Sequence, residues 1–119
     1  MSDQSDLPPV LADRADELLH TKTYADLAGM IASSFDAATL DNDTLMLVWL
    51  AALVAIDAPS ESFLMNLGAA SNSHVKLEQV HGVLEALAPI VGGPRVVSAT
   101  VKITALLEAG ADPEQSSPE

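Results

Sequence analysis

Glu78, His81 and Glu85 recur at i, i+3 and i+7, so a helix would set an imidazole between two carboxylates on one face. An imidazole titrates near neutral pH and can give or take a proton, which makes His81 the candidate acid-base group. Glu-x-x-His is also half of the carboxylate-bridged metal pattern of helical bundles, but the chain holds no second copy of it. No metal is therefore expected, unless symmetric copies in an oligomer complete such a site. Ser62 and Asn66, at i and i+4, can point into one pocket and orient a carbonyl or carboxylate there. The ordinary alternative for both sets is a solvated or interfacial helix face whose polar groups satisfy their neighbours. His74 beside Ser73 fits a surface loop, and His20 at the end of the first helix fits a favourable interaction with the helix dipole.

Large side chains offer a second kind of site. Met46, Trp49, Phe63 and Met65 can line a hydrophobic cavity or simply fill core and subunit contacts. Arg95, directly after Pro94, can draw a carboxylate to a helix N-terminus or serve as a surface ion-pair partner. Gly92-Gly93 has no strand before it and no Lys-Ser or Lys-Thr after it, so it is not a phosphate loop. The absence of cysteine excludes disulfides, thiolate zinc sites and all-thiolate iron-sulfur clusters. No cofactor is expected.

Seventeen acidic residues against five basic ones give a net charge of −12, which opposes the phosphate attraction behind most nucleic-acid binding. The longest apolar run, Leu45 to Ile56, is shorter than the roughly 18 to 20 residues that span a bilayer, so it reads as a buried helix. Met1 to Asp6 has neither a basic start nor an apolar stretch, and a cytoplasmic chain without membrane contact is expected.

These side chains must be positioned by helices. Leu7, Val10, Leu11, Ala15, Leu18 and Leu19 keep helical spacing opposite Asp13, Arg14, Asp16 and Glu17. Leu27, Met30 and Ile31 predict a shorter second helix ending near Ser33 or Ser34. Asp41-Asn42-Asp43 offers an N-cap for a third helix, which is apolar on every side and must be enclosed by other helices or a second copy. Pro59 opens a fourth, in which Phe63, Leu64, Leu67 and Ala70 share a side and Ser71-Asn72-Ser73 ends it. A fifth runs from about Val75 to Ile90. Pro94 opens a sixth, with Val97, Val101, Leu106 and Leu107 inward and Gly110 as its C-cap. No alternating strand pattern occurs. The expected fold is all-α, a single-domain bundle of about six helices over residues 7–110, between flexible tails at 1–6 and 111–119.

On Leu47, Leu50-Ala51-Ala52, Val54-Ala55-Ile56, Ala58-Pro59, Ala69-Ala70, Glu78-Gln79-Val80 and Gly92-Gly93-Pro94, the segment Leu45 to Ala99 resembles the carboxymuconolactone decarboxylase family. That family also includes the alkylhydroperoxidase D-like proteins. The resemblance implies a central antiparallel helix pair, assembly into a homotrimer or homohexamer, and a pocket near the subunit contacts. In the family's redox branch a Cys-x-x-Cys pair and a histidine stand where this chain has Pro59, Ser62 and Asn66, so thiol peroxidase chemistry is not expected. Acidic residues of the family fall at Met46 and Gly82. Two functions follow as expectations. One is a cofactor-free enzyme, of decarboxylase, lyase or isomerase type, on a small cyclic or aromatic-derived carboxylate or lactone, with His81 moving the proton and Ser62 and Asn66 orienting the ligand. The other is a non-catalytic oligomeric ligand-binding or assembly subunit that keeps the fold alone.

Overall fold

The computed structural model describes residues 6–111. It contains helices α1 (Val10–Leu18), α2 (Lys22–Ala37), α3 (Asn42–Ala55), α4 (Ser60–Ala70), α5 (Leu77–Val91) and α6 (Gly93–Ala111). Among the described residues there is no strand, only an isolated bridge between Asp6 and Lys76, whose ammonium also bonds the Asp6 carboxylate at 2.6 Å. Asp6 is thus tied to the start of α5, while the remainder of the expected tails, 1–5 and 112–119, lies outside the described residues.

Local chemistry sets most of the helix ends. The Asp41 carboxylate accepts from the Thr44 amide at 3.3 Å and from the Thr44 hydroxyl at 2.6 Å, capping α3. The Thr21 hydroxyl accepts from the Tyr24 amide and starts α2, and the Gln79 side chain accepts from the Lys76 amide at the head of α5. Pro59 precedes α4 in extended conformation, and Gly92 ends α5 with φ +97°, a left-handed value that a Cβ would oppose.

The corner between α3 and α4 is tied down by side chains. Asp57 has φ 54°, and the Asp57 and Ala58 amides donate to the carbonyls of Val54 and Leu53, a Schellman ending in which aspartate stands where glycine is usual. Its carboxylate accepts from the Ser98 hydroxyl at 2.7 Å and the Lys102 ammonium at 3.1 Å. Lys102 also donates to the Ala58 carbonyl at 2.7 Å and sits 5.9 Å above the centre of the Phe63 ring. One charged cluster therefore joins α3, α4 and α6.

The centre of the bundle is α4, most of which is buried, including Phe63, Leu64, Leu67 and Ala70. It packs against α1, α3 and α6, while α3 also packs against α5. The approach of α1 is closest at Gly68, where a Cβ would lie 2.5 Å from the Ala15 Cβ and 2.8 Å from the Leu11 carbonyl oxygen. Only a glycine permits that contact.

Several sequence expectations are corrected. The second helix runs to Ala37 and is longer than α1, because nothing between Ser33 and Ala37 breaks a helix. Its half-buried face is Tyr24, Ala28, Ile31 and Phe35, so Leu27 and Met30 point outward, Met30 with 69% exposure. On α6 the inward residues are Ala99 and Ile103, with Leu106 and Leu107 packed beside them, and Val97 and Val101 stay 62% and 64% exposed. Both sets have helical spacing, and the helices packed against α6, chiefly α5 and α4, select between them. Gly110 lies inside α6 rather than capping it. Within one chain α3 is enclosed on all but one side, where Val48, Ala52 and Ile56 are exposed. No helix among the described residues is long and apolar enough to cross a membrane.

Candidate functional site

α2 packs closely against no other helix, and none of its residues is fully buried. It lies over α1, α3 and α4, and between them is a part-open cavity of about 320 Å³. The space exists because the facing surfaces carry small residues: Ala12 and Ala15 on α1, Ala28 and Ala32 on α2, Gly68 and Ala69 on α4. Such side chains do not reach across the gap. The remaining wall is larger and soft, with Leu19, Ile31, Phe35, Met46, Trp49 and Met65. At this size and polarity the cavity fits a small apolar molecule.

Phe35 and Trp49 close one side. Their ring centroids are 5.8 Å apart at an interplanar angle of 80°, an edge-to-face pair that links α2 to α3. Behind the wall, the buried Asn66 side chain donates to the Met46 carbonyl at 3.1 Å, bolting α4 to α3 at the level of the cavity. Among the described residues the only polar ones at the rim are Asp16 on α1 and Asn72, just beyond the end of α4.

The expected pocket residues divide. Met46, Trp49 and Met65 come together around the cavity, whereas Phe63 is wholly buried under Lys102 and Arg95 is exposed at the start of α6. Ser62 is half-buried and does not line the cavity, and the Asn66 amide is engaged behind it. His81 is exposed on α5 with Glu78 and Glu85 beside it, and α5 contributes nothing to the cavity wall. Among the described residues no three His, Asp or Glu side chains converge as a metal site. The residues that sequence reasoning missed are Asp16, Leu19, Ile31, Phe35 and the small residues of the floor. For Phe35 a signal existed, since the chain has few aromatic residues and Phe35 continues the period of Ala28 and Ile31.

Two carboxyl groups outside the cavity have pKa values held below the ordinary carboxylate range. Asp57 is lowered first by the Ser98 hydroxyl and then by Lys102, and Asp41 by the hydroxyl and amide of Thr44. Both are structural, at a helix end and a helix start. Comparison with family models, curated proteins and solved structures gave no match.

Proposed function

We propose that this chain is a ligand-binding helical module that holds a small, largely apolar molecule beneath α2. The observation that carries the reading is the cavity itself: four helices converge on it, small residues keep it empty of side chains, and one wall is a helix free of close packing. A packed core of this size rarely leaves such a space by neglect, because dispersion contacts forgone along the lining are a standing cost. Proton-transfer catalysis on a lactone or carboxylate finds less support. Its acid-base candidate His81 is exposed on α5, and the cavity rim offers one carboxylate and one amide.

The resemblance to the carboxymuconolactone decarboxylase family fits this reading as a scaffold whose reaction has been lost. It also supports association of copies into a homotrimer or homohexamer. The exposed stripe Val48, Ala52 and Ile56 on α3 is the kind of surface such an assembly would cover. Mass in solution tests that part, and a monomer that persists at high concentration refutes it.

Trp49 is the sole tryptophan, so its emission reports the cavity. Titration with tert-butylbenzene should shift that emission. At ten times its Kd the probe should add about 1.4 kcal/mol of stability, a rise of roughly 5 °C in Tm. Ala28→Phe, which fills the space from the loosely held side, should abolish both effects. No response in the parent protein, or an undiminished response in Ala28→Phe, refutes the proposal.

A further inference from the structure

Resting on that ligand-binding reading, we infer that the cavity selects a small organic cation, an aromatic or alkyl ammonium, over neutral and anionic molecules of the same shape. Among the described residues Asp16 is the only charged one at the rim, and no lysine, arginine or histidine of theirs lines the cavity. The neighbouring His20 ring bonds the main-chain carbonyl of Asp16 at 2.9 Å and not its carboxylate. No ion pair among the described residues involves the Asp16 carboxylate. Lys22, Lys76 and Lys102 are already committed to Asp26, Asp6 and Asp57.

The apolar wall points the same way. Phe35 and Trp49 both line the space, and aromatic rings attract cations through their quadrupole, tryptophan most strongly. Met46 and Met65 add polarizable sulfur that adapts to an alkyl group. Beyond the cavity the whole chain carries a net charge of −12, which concentrates cations near its surface and repels carboxylates. A carboxylate ligand would meet Asp16 and no compensating charge, so the aromatic acids and lactone acids suggested by family resemblance are the disfavoured class.

The test compares phenyltrimethylammonium with tert-butylbenzene, its neutral isostere, using Trp49 emission and Tm at low salt. The cation should bind roughly tenfold more tightly, the sum of a part-exposed ion pair and a cation-π contact. Asp16→Asn should bring that ratio to within about threefold, and Asp13→Asn, the same charge change at an exposed site off the cavity, should leave it at about tenfold. Equal or weaker binding of the cation, with tert-butylbenzene still bound, overturns the inference and leaves the ligand-binding reading standing. Retention of the full ratio in Asp16→Asn, or its equal loss in Asp13→Asn, overturns it as well, because selection would then come from net charge and not from the rim. If neither probe changes Trp49 emission, the ligand-binding reading falls and this inference with it.

Discussion

Gly68→Ala should destabilise the protein even though alanine is the better helix former. The added Cβ would sit 2.5 Å from the Ala15 Cβ and 2.8 Å from a backbone oxygen of α1, neither of which can rotate away. For the methyl groups to regain ordinary contact α1 must retreat by roughly 1 Å, and overpacking of this kind costs about 1 to 3 kcal/mol. Helix propensity returns about 1 kcal/mol, so the net loss is up to about 2 kcal/mol, or a fall of up to roughly 8 °C in Tm. Gly29→Ala in α2 and Gly82→Ala in α5 are the matched controls, because a Cβ at either position meets nothing within 4 Å. Each should stabilise by about 0.5 to 1 kcal/mol. Urea and thermal unfolding of the three variants, followed by circular dichroism, separates the effects by sign. A Gly68→Ala protein that matches the controls refutes the close packing of α1 on α4.

At the α3–α4 corner, Asp57→Ala should be less stable than Asp57→Gly by about 1 kcal/mol, since both lose the bonds to Ser98 and Lys102 but only alanine keeps a Cβ at positive φ; equal stabilities in chemical denaturation count against the left-handed ending. Asp57 and Asp41 have folded-state pKa values lowered from 3.8, so their stabilising contribution is present above about pH 4 and disappears as pH falls through the depressed values. Acid unfolding monitored from pH 5 to pH 2 should therefore steepen below pH 4, and less so in Asp57→Asn. Phe35→Ala should red-shift Trp49 emission and speed amide exchange throughout α2 while α4 keeps its protection, because the edge-to-face pair is the ring contact holding α2 to the body.

Helix existence and most helix starts were legible because they depend on residues a few positions apart. The Asp41 cap and Gly92 after α5 each act on their own turn of backbone and are used as the sequence suggested, while Pro59 stands one position earlier than expected, as the extended N-cap of α4. The inward face of a helix is a different kind of quantity. On α6, Val97 and Val101 keep the same spacing as Ala99 and Ile103, and contact with α5, α4, α1 and α3 decides that Ala99 and Ile103 turn inward. On α2, Leu27 and Met30 are larger than Ala28, yet the helix is held by Ile31 and Phe35 and leaves them in water. Hydrophobicity names the candidates, and tertiary neighbours choose among them.

The site was hidden for a related reason. Spacing rules join residues of a single helix, such as Ser62 with Asn66 or Glu78 with His81, whereas the cavity draws on four helices and its floor is made of what alanine and glycine leave unfilled. A vacancy has no signature in a one-dimensional pattern. Asn66 stands out in the sequence as the i+4 partner of Ser62, and the structure gives its amide a main-chain partner: it satisfies the Met46 carbonyl and ties together the wall that Met46, Trp49 and Met65 form. A buried polar residue in such a bundle is therefore better read by asking which main-chain group it pairs than which substrate it meets. Placed this way, Asn66 accounts for the rigid wall of the cavity, and the unburied α2 accounts for its yielding one. On the proposed ligand-binding reading, a firm wall opposite a loosely packed one would let a ligand enter without unfolding the bundle, because only the weakly held helix would have to move.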